Sequence, residues 1–126
     1  MKVNEAIAKA NEQRLNTFGD EIKEAWLRGL DGQLLEMMQN AEDAQEHEAG
    51  TWPDAGLWPE EDPELLLPFP HDMVYVYYLV AQIDYNNQDI ALYANDMTTY
   101  NAAMAEARAW WRRNHRPKDA GNWRVM

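Results

Sequence analysis

The feature that most constrains this chain is a long stretch without glycine or proline, residues 71–116. Within it, apolar residues recur every seven positions, and a second set follows three positions after members of the first. The two sets are Val76, Ile83, Ile90, Met97, Met104 and Trp111, and then Leu79, Tyr93, Tyr100 and Ala107. This is the spacing of a and d positions in helix-on-helix packing. The pattern therefore predicts that the stretch forms the helical core of the protein.

A polar interruption within this pattern leaves two alternatives open. Asn86 occupies a position of the apolar seam, and Asn87 and Gln88 follow it. Asparagine is a weak helix former and tolerates left-handed turns, which favours two helices, near 71–86 and 88–115. A single helix would be about 65 Å long, and a chain this small could not cover both of its ends. The unbroken seven-residue register favours the single helix. We predict the break at Asn86 and Asn87.

The N-terminal part predicts two further helices. The first spans about residues 4–14 and has Asn4 as its cap. The second spans about 20–39 and is amphipathic; its apolar stripe is Ile22, Trp26, Leu30, Leu34 and Met37 or Met38. Gly32 lies inside the second helix, where we expect it to allow another helix to approach closely. The chain of 126 residues is thus predicted to be a single domain, residues 1–126, with an all-α fold, a small helical bundle of about four helices.

A long acidic segment that contains proline and tryptophan separates the two pairs of predicted helices. Residues 40–70 include too many prolines and glycines for long regular structure, so we expect a loop there. Residues 41–72 carry ten acidic residues and no Lys or Arg. Trp52 and Trp58 either fold back onto the core or anchor a neighbouring protein, since Trp is common at binding hot spots. We expect residues 41–63 to be mobile in the free subunit and ordered on assembly.

Charge is distributed unevenly along the chain. The formal net charge is −11, yet residues 108–126 carry six basic residues and one acidic residue. Such an acidic protein repels bulk DNA, which suits either the lining of a DNA channel or simple solubility. The basic end either complements the helix dipole or docks onto a partner, and we expect residues 117–126 to form a flexible tail. The candidate interface residues are Trp52, Trp58, Trp110, Arg112, Arg113, Arg116, Lys118, Trp123 and Arg124.

Sequence motifs for catalysis are absent. The chain has no Cys, no Gly-rich phosphate loop and no closely spaced pair of His ligands. The residues between Glu42 and Glu48 imitate a helical metal site, but the required carboxylates on a facing helix, Asp84 and Asp89, lack matching spacing. No apolar run is long enough to span a bilayer, and the start of the chain lacks the apolar run of a signal peptide. We expect a soluble protein that is not an enzyme, with no cofactor and no metal.

Several short motifs resemble those of a protein family. They are Ala81-Gln82-Ile83-Asp84-Tyr85, Tyr93, Asn95, Asn101-Ala102-Ala103 and Asn114-His115-Arg116-Pro117, with Trp26-Leu27, Leu30-Asp31-Gly32, Glu64-Leu65-Leu66, Pro68 and Pro70 upstream. Together they cover most of the chain and resemble the head–tail connector, or adaptor, proteins of tailed bacteriophages and prophages. The motifs are structural rather than chemical.

The resemblance implies a virion structural protein rather than an enzyme. Such a subunit forms a homo-oligomeric ring between the portal protein and a neighbouring tail-completion protein. DNA passes through the ring without sequence-specific binding. It is assembled in the host bacterial cytoplasm and ends up at the head–tail interface of the virion, with no membrane involved. Two alternatives remain: an acidic monomeric binding module, such as a phage-encoded inhibitor that mimics the charge of DNA, and a metal-dependent helical hydrolase.

Overall fold

Four α-helices make up most of the described structure. The structure, a computed structural model, describes residues 1–39 and 62–115. Its helices are α1 (Val3–Gln13), α2 (Asp20–Gln39), α3 (Met73–Asn86) and α4 (Ile90–Asn114). These two ranges contain no β-strand, and their one extended pairing is an isolated antiparallel bridge between Lys2 and Glu64. The predicted all-α class with four helices is confirmed. The loop predicted at 40–70 is described only at residues 62–70, which contain no helix, as expected. Residues 40–61 and the tail predicted at 117–126 lie outside the described ranges.

The helices alternate in direction. Arg14, just after α1, bonds to Asp84 near the end of α3, so these two helices run in parallel. Ring contacts show that α4 runs back along α3: Tyr85 meets Tyr93, Tyr78 meets Tyr100 and His71 meets Trp110. We call the end where α1 and α3 finish and α2 and α4 begin the turn end, residues 14–22 and 84–93. The opposite end is the loop end.

Helix α3 forms the centre of the core because it packs against each of the other three helices. Its sequence is apolar on nearly every side, as expected for a helix surrounded by others. The buried side chains of α3 are Val74, Tyr75, Val76, Leu79, Val80, Ala81, Ile83 and Asp84. Helix α4 lies at the outside and buries only Met104 and Ala107 completely.

The predicted break between α3 and α4 is confirmed, and its hydrogen bonds explain it. Asn87 is the last residue before the reversal, and Gln88 adopts a left-handed conformation with φ of 61°. The amide of Gln88 donates to the Tyr85 carbonyl at 3.0 Å, and that of Asp89 to the Asp84 carbonyl at 3.0 Å. This is the Schellman pattern that ends helices. The Asp89 carboxylate then caps α4 by accepting from the Leu92 amide at 3.2 Å.

The predicted cap of α1 is wrong. Helix α1 begins at Val3, and Asn4 lies within its first turn. The segment before α3 satisfies the first amides instead. The carbonyl of Pro63 accepts from the Val3 amide at 3.2 Å, and the carboxylate of Asp62 accepts from the Asn4 amide at 2.8 Å. A capping partner so distant in sequence leaves no local signal, which is why the sequence pattern misplaced the cap.

The buried face of α2 differs from the predicted stripe. Ile22 is 45 % exposed and Trp26 is only partly buried. Leu30, Leu34 and Met38 are buried as predicted. The buried face also includes Leu27 and two charged residues, Lys23 and Asp31, whose hydrogen-bond partners lie in other parts of the fold. The expected close approach at Gly32 is also wrong, since a Cβ added there would meet no described atom within 4 Å.

Candidate partner interface and buried charge clusters

Three of the nine predicted interface residues lie in the described part of the chain. Trp110, Arg112 and Arg113 occupy the last two turns of α4, at the loop end. The remaining six lie outside the described ranges: Trp52, Trp58, Arg116, Lys118, Trp123 and Arg124. The structure therefore brings together only the α4 part of the predicted interface.

Trp110 has a structural role within this part. It is partly buried against the core, and its ring lies 4.9 Å from that of His71, which precedes α3. The next residue, Trp111, stacks on His115 with ring centroids 3.4 Å apart. The contact with His71 holds the end of α4 against the rest of the bundle, whereas the stack of Trp111 on His115 is local to that end. Trp110 is therefore only partly exposed.

The arginines of α4 are available to a partner. Arg108, Arg112 and Arg113 are exposed. Two shallow depressions of about 380 Å³ each border this part of the helix. One includes Arg108 and Arg112 in its lining, and the other includes His71 and Arg113. Guanidinium groups beside open grooves are suited to carboxylate groups of another protein, since they bind carboxylates through paired hydrogen bonds.

The turn end carries a second candidate surface that sequence reasoning missed. Four large apolar side chains are exposed there: Leu15 by 91 %, Ile90 by 71 %, Tyr85 by 56 % and Ile22 by 45 %. Four exposed acids lie within three residues of them in the sequence: Glu12, Asp20, Glu21 and Asp89. The heptad pattern placed Ile90 in the buried seam, but the chain reverses just before it, so its side chain lies at the tip of the bundle.

Arg14 holds two carboxylates together below this surface. Its Nε donates to Asp84 at 3.0 Å, and its terminal nitrogen donates to Asp96 on α4 at 3.4 Å. The Asp84 side chain is 3 % exposed, so its charge is largely removed from water, whereas the Arg14 side chain is 31 % exposed. The cluster links α1, α3 and α4. Removing one partner of such a pair leaves a buried charge uncompensated, which is costly.

Burial and the neighbouring Asp84 carboxylate raise the pKa of Asp96 to about 6, and Arg14 opposes this shift. One oxygen of Asp96 is buried without a hydrogen-bond partner among the described residues. A cavity of about 150 Å³ lies beside the cluster and includes Gln13, Tyr77 and Thr99 in its lining. Below about pH 6, protonation of Asp96 removes one of the two like charges and relieves the repulsion from Asp84.

A second buried polar cluster joins α2 to α3. The Tyr75 hydroxyl donates to the Asp31 carboxylate at 2.5 Å and accepts from the Leu67 amide at 2.8 Å. The amide of Leu66 donates to the other Asp31 oxygen at 3.4 Å. Burial raises the pKa of Asp31 to about 7, against the lowering effect of these hydrogen bonds. Burial, together with the nearby Asp31 charge, also raises the pKa of Tyr75.

The third polar group in the core is Lys23. Its side chain is 2 % exposed, and its ammonium donates to Asn11 at 2.8 Å and to the Phe18 carbonyl at 2.9 Å. Asn16 donates to the same Asn11 oxygen, so the α1–α2 turn is folded around the ammonium. The sequence signal for such residues is weak: Lys23 and Asp31 each lie four residues from Leu27, on the apolar face of α2.

The described residues show neither a metal site nor a membrane span. No group of three or more His, Cys, Asp or Glu in these ranges is arranged to hold a metal ion, and Asp84 is already paired with Arg14. The acidic residues from Glu42 to Glu48 lie outside the ranges. Among the described helices, none is long and apolar enough to cross a bilayer.

Comparisons with protein-family models, curated proteins and solved structures find no match to this chain. The geometry of the two exposed ends and of the buried clusters therefore carries the functional argument.

Proposed function

We propose that this protein is a structural subunit of a phage particle, a head–tail connector that forms a ring between portal and tail. It works at the head–tail interface of the virion and is assembled in the cytoplasm of the host bacterium. Its partners are its own copies, the portal protein and a tail-completion protein, and DNA passes through the ring. It has no catalytic role.

The observation that carries this proposal is the contrast between the two ends of the bundle. The turn end exposes apolar side chains among acids, whereas the last turns of α4 expose Arg108, Arg112 and Arg113 at the loop end. Two different, complementary surfaces on one subunit support a head-to-tail contact between copies. Such a contact closes into a ring when the rotation between neighbours allows it.

A passage for DNA is supported by the charge of α4. Between Ile90 and Ala107 this outer helix has two acids, Asp96 and Glu106, and no Lys or Arg. Phosphates gain little from such a surface, so DNA moves past it without being held. The arginines at the end of α4 are the exception, and in this proposal they contact protein carboxylates.

A non-catalytic role is supported by the position of the perturbed acids. Perturbed pKa values often mark active sites, but structural networks produce them too. Asp31 and Tyr75 are fully buried and bonded to each other, so a substrate cannot reach them. Asp96 is paired with Arg14 and lies next to Asp84. These groups join helices to one another, as expected of a rigid building block.

Interrupting the gene in the virus or prophage that encodes it tests the proposal. We expect DNA-filled heads and separate tails that remain unjoined, with infectivity lost and then restored by supplying the intact protein in trans. A binding module that inhibits a host protein would leave the particles complete. Normal joined particles from the interrupted gene would therefore overturn the connector proposal.

The same assay separates the role of the C-terminal segment from that of the bundle. A protein without residues 117–126 is supplied in trans, and its folding is checked by thermal unfolding. We expect a folded protein that no longer joins heads to tails. Infectious particles at normal yield would show that this segment has no docking role.

A further inference from the structure

We propose that the exposed apolar side chains at the turn end bind the basic C-terminal segment, residues 116–126, of a second copy of this chain. The inference deepens the proposed function and rests on it, because a ring needs a defined contact between neighbouring copies. The contact has two halves. One is the C-terminal segment of one copy, and the other is the turn-end patch of its neighbour, defined as Leu15, Ile22, Tyr85 and Ile90.

The turn-end patch is unlike an ordinary surface. Its four members lie on three helices and on the α1–α2 turn, yet all are at one end of the bundle. Leu15 and Ile90 are more than two-thirds exposed. Scattered exposed apolar residues are common, but several at one place mark an interaction site. Tyr85 also packs against Tyr93, with ring centroids 5.2 Å apart, which gives the patch a firm aromatic edge.

The charges around the patch select its occupant. The exposed acids Glu12, Asp20, Glu21 and Asp89 each lie within three residues of a member of the patch in the sequence. Two basic side chains are described near this end, and both have partners within the bundle. Arg14 pairs with Asp84 and Asp96, and Lys23 donates to Asn11. The surface therefore favours a ligand that combines apolar groups with positive charge.

Two segments outside the described ranges carry tryptophan, and only one matches. Residues 40–61 contain Trp52 and Trp58 but only acidic charges, so the acidic rim repels them. Residues 116–126 contain Trp123, Val125 and Met126 together with Arg116, Lys118, Arg124 and one acid, Asp119. The C-terminal segment therefore matches the patch in both charge and apolar content.

The length of α4 indicates that the segment comes from another copy. Helix α4 has 25 residues and is about 37 Å long, and it ends at the loop end, away from the patch. Trp123 follows Asn114 by nine residues, which span at most about 32 Å when fully extended. The segment therefore approaches the patch of its own bundle only when it is fully extended along the whole of α4, an arrangement that costs conformational entropy. The next bundle in a head-to-tail row has no such restriction.

Two singly defective full-length variants test this pairing. Ile90→Lys disables the patch and keeps the C-terminal segment, whereas Trp123→Lys disables the segment and keeps the patch. Ile90 is exposed, so its replacement leaves the core intact. Phe69→Lys is the matched control, because Phe69 is 85 % exposed but lies near the loop end.

Sedimentation velocity up to millimolar concentration gives the readout. We expect the unsubstituted protein and Phe69→Lys to self-associate, and each defective variant to associate at least about tenfold more weakly. An equimolar mixture of Ile90→Lys and Trp123→Lys should form a one-to-one dimer and nothing larger, because only one intact pair of surfaces is present.

Any other pattern of association overturns the inference. A monomeric unsubstituted protein, or association that Trp123→Lys leaves unchanged, excludes the C-terminal segment as the occupant. Loss of self-association in Ile90→Lys alone indicates a symmetric contact between two patches. Loss of self-association in Trp58→Lys indicates that the acidic segment, residues 40–61, is the occupant. If rings persist in all variants, the connector proposal stands and this contact falls. If the pairing is found but particles assemble without the gene, the connector proposal falls and the contact stands.

Discussion

The hydroxyl of Tyr75 on α3 donates a 2.5 Å hydrogen bond to the carboxylate of Asp31 on α2, and both side chains are fully buried. Asp31 also accepts a hydrogen bond from the Leu66 amide, and the Tyr75 hydroxyl accepts one from the Leu67 amide. Helix α2, helix α3 and the segment just before α3 therefore meet at one polar point in an apolar core. Buried polar groups with complete hydrogen bonding specify one packing arrangement, since any other arrangement leaves them unpaired.

The Asp31 carboxyl makes stability depend on pH. Its pKa rises from 3.8 to about 7 on folding, so the folded state binds this proton more tightly than the unfolded state. Its contribution is fully present below pH 4 and is lost as the pH rises through 7. We expect the free energy of unfolding to fall between pH 5 and 7, relative to Asp31→Asn, by about 1 kcal/mol per pH unit.

Urea unfolding of both proteins at several pH values checks this expectation. Tyr75→Phe serves as a second variant, because loss of its hydrogen bond raises the Asp31 pKa further and moves the transition to higher pH. Tyr75→Phe should also lower the free energy of unfolding by about 2 kcal/mol, because it leaves the Leu67 amide unpaired. Identical pH slopes for the original protein and Asp31→Asn would contradict the assignment.

Arg14 is expected to matter more than its partial exposure suggests. Arg14→Met leaves Asp84 buried without its cation, and we expect a loss of about 3 kcal/mol at pH 7. The loss should shrink at pH 5, since removing Arg14 raises the Asp96 pKa above 6 and protonation then relieves the repulsion. Thermal unfolding of Arg14→Met and of the unsubstituted protein at both pH values measures this loss of stability.

Lys9→Met is the control for this prediction. Lys9 pairs with Glu5 on the surface of α1 at 3.0 Å, and such pairs contribute less than about 0.5 kcal/mol. Equal losses from Arg14→Met and Lys9→Met would show that the buried cluster adds nothing to stability.

The turn between α3 and α4 offers a stabilising substitution. Gln88 has a φ of 61°, a conformation that glycine adopts without the steric penalty of a side chain. We expect Gln88→Gly to raise the free energy of unfolding by about 0.5–1 kcal/mol. Asn87→Gly is the control, because Asn87 has a φ of −84° and glycine there only increases the freedom of the unfolded chain. Stabilisation by Asn87→Gly rather than Gln88→Gly would contradict the turn geometry.

The sequence pattern was sufficient for the helices but not for their polar contacts. The four helices and the break after Asn86 follow from local periodicity and from the weak helix preference of asparagine. The seam also predicted correctly that Val76, Ile83 and Met104 are buried. Periodicity holds within an element, so it worked along α3 and for Met104 and Ala107 of α4, whereas on α2 it wrongly included Ile22 and Trp26.

The buried charges could not be predicted because their partners come from other elements. Lys23 and Asp31 interrupt an apolar face, and nothing near them in sequence identifies Asn11 or Tyr75 as the neighbours that make burial possible. The turn-end patch was missed for a related reason. Ile90 fits the heptad register, and its exposure follows only from the reversal of the chain at Gln88.

The arginines at the end of α4 were predicted from composition, and their exposure is consistent with docking. Their role in binding stays a prediction, as do the roles of the six candidate residues outside the described ranges. The same holds for the ring, the portal and tail partners and the passage of DNA.

The central claim is that this protein is a building block of the virion. Its most direct test is to purify the particles made by the virus or prophage that encodes it and to locate the protein by quantitative mass spectrometry and immunogold electron microscopy. We expect a fixed number of copies per particle, greater than one, with label at the junction of head and tail. Absence of the protein from purified, infectious particles would contradict the claim.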